Sequence, residues 1–243
     1  MPFLGLKKIP FPDKIDPASM VKNFRTAWEN FIKIDSFNTL SVTATGTTVL
    51  TAISQTVFVN CAAGNIALTV ASAVGNAGLT YTIFKTDSTT NTLTVNGSVL
   101  GGNLGVSRIT LVSDGTVYRV RELFDKGTYS ATLNGCTTSP TVTVTYSRNN
   151  DSVDLRHNSI FAISNSTACT ITGMPAHIRP SSTVFCPILT VLDNSLDHPG
   201  GIKIDAAGLW TLYFYSGITT LTTTFTNGNN KGTGSEIAIS YLI

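Results

Sequence analysis

Between Gly64 and Val120 the chain is written in short alternations of apolar and hydroxyl residues. GNIALTV, GLTYTIFKTD, TTNTLTVNG and ITLVSDGTVYRV are separated by Gly, Asn and Asp, the pattern of strands closed by turns. The same grain returns from Thr128 to Ile243. Turn chemistry there falls at Asn134-Gly135, Asn149-Asn150-Asp151, Asn194 to Gly201, Ala207-Gly208 and Asn227 to Gly234, and no helix is required. Side chains alternate at period two, so Trp210, Leu212 and Phe214 share one face of a strand, and Trp210 and Phe214 read as core. Tyr213 and Tyr215 take the other face. They either meet a saccharide, through an apolar ring with a polar edge, or pack between subunits.

One stretch breaks the pattern. Asp16 suits a helix N-cap, Pro17 suits the first helical position, and helix formers follow to about Lys33. Val21, Phe24, Trp28 and Phe31 recur at alternating three- and four-residue steps, a narrow apolar seam of the coiled-coil kind. The seam serves either an oligomer axis or the chain's own β-domain, since a helix this short needs a partner for its aromatic face. Four segments result: an arm and helix over 1–38, a first β-domain over 39–123, a linker over 124–127 where the alternation stops, and a second β-domain over 128–243.

Composition narrows the function. Charged residues make up 12% of the 243, hydrophobic residues 42%, and the formal net charge is +2. Ser, Thr and Asn must therefore cover the wet surfaces, where an average protein has about twice this charged fraction. The basic residues are scattered, apart from Lys7-Lys8 and Arg119-Arg121, whereas phosphate binding needs cations in a cluster; nucleic acid is not an expected partner. No apolar run reaches the ~20 residues of a membrane span, and the opening segment, twice broken by Pro, does not resemble a signal peptide. Membrane insertion is not expected.

The residues offer little for catalysis. Asp151 and Asp154 sit beside Asn149-Asn150 and Ser152, where Asp organises a turn, not as a carboxylate pair flanking a sugar ring. Asp193, Asp197 and His198 share a loop without a Ca²⁺-loop pattern. His157, His177 and His198 lack a nucleophile or zinc spacing, and Ser181-Ser182 forms no Gly-x-Ser-x-Gly elbow. Cys61, Cys136, Cys169 and Cys186 are far apart in strand-like contexts and read as buried thiols. No enzyme, cofactor or metal is expected. The polar stretches Asn149 to Asn158, Asp193 to Gly200 and Thr226 to Gly234 are the expected contact loops, with Asn149, Asp151, Asp193, Tyr213, Tyr215 and Asn229 as candidate contacts.

Two resemblances add to this. Gly64 before Ile66-Ala67-Leu68, Gly78 before Tyr81-Thr82-Ile83 and Lys85, Asn91 before Leu93-Thr94-Val95, and Ser113-Asp114-Gly115 before Tyr118 resemble small β-domains in the fibres and spikes of tailed bacteriophages. Those domains commonly carry a Pro and a Trp where Val70-Ala71 and Tyr118 stand here. Pro175, Ala176, Arg179, Pro180, Ile202, Ile204, Gly208, Lys231 and Gly232 are similar to the motif positions of C-terminal β-sandwich heads of phage tail and baseplate receptor-binding proteins. The resemblance implies a mostly β chain: a short N-terminal helix, a small β-barrel or sandwich, then a β-sandwich head, assembled as a homotrimer. It also implies a virion protein of the fibre or spike class. Such a protein is anchored through its N-terminus to phage head or tail proteins and presents its C-terminal domain to host cell-surface polysaccharide or protein. A head fibre, decoration protein or tail adaptor without a receptor is the alternative it leaves.

Overall fold

In the computed structural model, which describes residues 39–53, 55–216 and 220–243, the chain first alternates between two sheets. β1 (Thr39–Val42), β3 (Gln55–Val59) and β5 (Thr80–Lys85) stack in parallel in one, with β2 (Gly46–Val49), β4 (Ile66–Thr69) and β6 (Leu93–Val95) stacked in parallel in the other. β7 (Ser98–Leu100) returns antiparallel to β6 through Asn96-Gly97, both at positive φ, as a tight two-residue hairpin demands. β8 (Ser107–Ser113) extends the first sheet antiparallel to β5, and β9 (Tyr118–Asn134) follows antiparallel to β8. Val57, Val59, Tyr81, Ile83 and Ile109 from that sheet meet Ile66, Leu68, Leu93 and Val95 from the other in a dry core. The alternation at period two dictates this, because each strand offers every second residue inward.

Strand β9 continues without a break into the second half. β10 (Thr141–Asn149), β11 (Ser152–His157), β12 (Ile160–Ile163), β13 (Thr170–Thr172), β14 (Val184–Asp193), β15 (Leu196–Ile204), β16 (Trp210–Ser216), β17 (Thr220–Thr222), β18 (Asn230–Thr233) and β19 (Ile237–Leu242) follow. One sheet face runs β9-β10-β11-β19, and another runs β13-β16-β15-β14-β18-β12, joined where β13 pairs with the end of β9. Their inward residues, among them Val144, Val153, Leu155, Ile202, Trp210, Leu212, Phe214 and Ile239, form a second core. Trp210, Leu212 and Phe214 are buried as the alternation predicts.

The described residues are almost entirely β, with a single 3-10 turn at Ala176–Ile178 and no α-helix among them. The expected helix with Val21, Phe24, Trp28 and Phe31 lies outside the described residues. Residues 124–127, expected as a linker, are strand, hydrogen-bonded in register with Ser147 to Asn149 and neighbours on β10. Two of the stretches expected as loops are also largely strand: Ser152–His157 is β11, and Leu196–Ile204 is β15 after a two-residue turn at Asn194-Ser195 with positive φ at both. In β11 the polar residues Asp154 and Arg156 alternate with buried ones, so polarity there marks an outer face.

All four cysteines are buried free thiols. Burial pushes up the pKa of each, Cys169 to about 12, and a thiol held protonated and covered is a poor nucleophile. A thiol reagent at neutral pH should therefore leave the native protein unlabelled and modify all four after denaturation, read by mass spectrometry. Rapid labelling of the native chain would contradict this packing.

Candidate functional site

The residues singled out from sequence separate into two groups at opposite ends of the second half. Asn149 and Asp151 flank the β10–β11 turn, which is tied to the first half. The Asn150 amide donates to the Leu123 carbonyl, and the Leu123 amide donates to Asn150 Oδ1, each at 2.8 Å. At the other end Asn229 Nδ2 donates to Asn194 Oδ1 at 2.6 Å, and the Ser164 amide donates to the Asn229 carbonyl. β9 runs between the two ends, so they stand about 30 Å apart for a ten-residue strand rise. Tyr213 and Tyr215 lie on the outer face of β16, toward the Asn229 end. Tyr213 is half-buried against the exposed Phe185 ring at 6.4 Å between centroids. Tyr215 is exposed.

Asp193 is not available for contact. It is buried, and its two carboxylate oxygens accept from the Thr226 amide and hydroxyl, both at 2.8 Å. This carboxylate fastens one loop to another, which explains why an Asp stands at that turn.

A buried polar node joins the two halves. Asp125, wholly inaccessible in β9, accepts from the Gly102 amide at 2.8 Å, the Gly101 amide at 3.1 Å, the Ser107 hydroxyl and the Tyr146 hydroxyl at 3.2 Å. His177 Nε2 lies 3.2 Å from the same carboxylate and 3.1 Å from the Tyr146 hydroxyl. Burial pushes the Asp125 pKa up, but the bonds from His177 and Ser107 overcome it and hold the carboxyl below its usual range. Burial also drives the Tyr146 phenol far up, helped by the neighbouring Asp125 charge. Ser107 donates to the carboxylate and not to the imidazole, so Ser, His and Asp are assembled here without the nucleophile–base contact of acyl transfer. The node holds architecture: a Cβ on Gly101 would run into the His177 ring, and one on Gly102 into the Lys126 carbonyl.

A polar concavity lies on the outer face of β9-β10-β11-β19, a cleft of about 720 Å³. Register orders the sheet face beneath it in cross-strand rows, of which Lys126, Thr143, Thr145, Ser147, Asp154 and Arg156 line the cleft. Lys126, Ser147, Asp154 and Ser240 form one row, and Thr128, Thr145, Arg156 and Ala238 the next. Ser130 and Thr143 continue the surface. The Ser240 hydroxyl donates to Asp154 Oδ1. Lys126 and Arg156 make no hydrogen bond or ion pair among the described residues. Asp154 and Arg156 fall within the stretch Asn149 to Asn158 that the sequence offers as a contact loop, Asp154 reading there as a turn former, and the others do not stand out in the sequence. The signal is present as period-two alternation through TVTVTYSRN and SVDLRH, whose outward set is hydroxyl and charged.

No family model matches the chain, and no curated protein matches it. Among solved structures, it is similar to a reovirus attachment protein sigma1, crystallised in complex with alpha-2,3-sialyllactose. Identity is 14%, the match covers 63% of this chain and 86% of that one, and the TM-score is 0.32. A likeness at that score leaves the argument with the residues themselves.

Proposed function

We propose that the chain is a structural virion protein of a tailed bacteriophage, a homotrimeric fibre or spike that holds its second β half out for attachment to host surface polymers. The observation that carries this reading is the cleft on the outer face of β9-β10-β11-β19, a sheet surface lined by hydroxyls with two cations that have no partner among the described residues. Sugars are bound by such surfaces because each ring hydroxyl both donates and accepts. The sequence resemblance to phage fibre domains and receptor-binding heads supports the viral setting. Trimer formation draws support from Val49, Ile53, Val74 and Leu104, apolar side chains that stand exposed in the first half and gain from cover by neighbouring subunits. Several weak sites on one particle then bind strongly together.

The test is competition. Host cells preincubated with excess purified chain should adsorb fewer phage, and an antibody against residues 128–243 should label fibre or spike tips on whole particles. Failure to block at saturating protein, with label on capsid vertices, would replace this reading by a head fibre or decoration role.

A further inference from the structure

We infer that the β9-β10-β11-β19 cleft binds an acidic saccharide, a sugar chain carrying spaced carboxylates. This deepens the attachment reading, on which it rests, by naming the ligand class of that site.

The cations decide the class. Lys85, Arg108, Arg119, Arg148, Arg179 and Lys231 are each engaged by a carboxylate or a backbone carbonyl. Lys126, Arg156, Arg121 and Lys203 have no such partner among the described residues, and of these four Lys126 and Arg156 alone line the cleft, from neighbouring rows. They are two strands and one row apart, so their backbones stand about 12 Å from one another at ordinary sheet spacings. That separation suits carboxylates on successive or alternate sugar units. The guanidinium of Arg156 offers a planar fork matched to a carboxylate, and Lys126 a compact point charge.

The rest of the floor selects sugar over other anions. Thr143, Thr145 and Ser147 present hydroxyls between the cations. Asp154 keeps one carboxylate oxygen beyond the one that Ser240 occupies, an acceptor for a ring hydroxyl. Asp154 and Glu236, both in the cleft, repel a ligand with a charge at every position, such as a polyphosphate or nucleic-acid backbone. Carboxylates separated by neutral, hydroxylated units avoid that repulsion.

The experiment presents the full chain to an array of uronate- and sialate-bearing oligosaccharides, each beside its carboxyl-reduced neutral counterpart, with polyglutamate as a charge control. Titration calorimetry on the best binder follows. Retention of acidic sugars, at least tenfold weaker binding of the neutral counterparts and little binding of polyglutamate are expected. Arg156→Ala and Lys126→Ala should each weaken binding about tenfold with the melting temperature and oligomer mass unchanged, and Arg156→Lys should recover part of the loss. Equal binding of neutral sugars, equal binding of polyglutamate, or unaltered binding by both alanine variants would overturn the inference. If no acidic sugar is retained while the chain still blocks phage adsorption, the inference falls and the attachment reading stands. If blocking is absent too, both fall.

Discussion

Asp125→Ala is expected to lower the free energy of unfolding by about 3–5 kcal/mol, the cost of removing one member of a buried charged network. The carboxylate is wholly buried and accepts from two glycine amides, Ser107 and Tyr146, with His177 beside it. Alanine strands these donors in a site that no other acceptor fills, and buried donors without partners cost far more than the net worth of the bonds they made. Because the donors come from the β7–β8 loop, β8, β10 and the 3-10 turn, the loss loosens both cores together. Asp125→Asn keeps the shape but turns an NH₂ toward donors, so it should recover only part of the stability. Urea denaturation of the two variants measures this. A loss below about 1 kcal/mol for the alanine would show that the node is dispensable.

The same carboxylate fixes the acid limb. Its folded pKa is depressed, so its stabilisation is fully present above the unfolded value of about 3.9 and disappears as pH falls through the lower folded value. Asp87 behaves alike. Burial raises its pKa, but bonds from Thr89, Lys85 and the Cys61 amide carry it well below the ordinary range. Stability should therefore hold from neutral pH to about 5 as far as these groups govern it, and fall below about 4. Asp125→Asn should flatten that fall, leaving the Asp87 contribution.

What can be read from the sequence follows from what local pattern encodes. Strands such as Leu93–Val95 and Trp210–Ser216 are legible because apolar and hydroxyl-bearing residues alternate and turns bracket them. The parallel stacking of β1, β3 and β5 is not. Thr39 pairs with Thr56, and Thr56 with Thr82, and nothing in a short window specifies a partner so far along the chain. Residues 124–127 mislead for a definite reason. Their inward positions are Asp125 and Gly127, not apolar residues: one is the centre of the polar node, and the other is bare because a Cβ would come within 2.8 Å of the Tyr146 ring. The strand therefore looks like a break. In the same way the cleft hides behind polar outward residues that resemble loop composition, while Asp193, conspicuous in sequence, is consumed by Thr226.

Lys231 carries the other large expected effect. It sits fully buried on β18, where its ammonium donates to the Ser166 carbonyl at 2.6 Å and to the Ala168 carbonyl, and lies 5.9 Å from the Phe225 ring centroid. A buried cation is costly unless it is fully engaged, and here it closes a segment whose carbonyls point into the core. Lys231→Ala leaves both carbonyls unpaired, loses the cation–π contact and opens a cavity, which together should cost about 3 kcal/mol or more. Lys231→Met refills the volume and removes the burden of burying a charge, yet leaves the two carbonyls without a donor, so about 1–3 kcal/mol is expected. The ordering, alanine worse than methionine and methionine worse than the native lysine, is the decisive result in urea denaturation. Hydrogen exchange should localise the damage, with faster exchange at the Asn165 amide, which donates to the Gly135 carbonyl, and little change in the first core. A methionine variant as stable as the native chain would mean that the carbonyls find other donors, and that the buried lysine is not what holds this end closed.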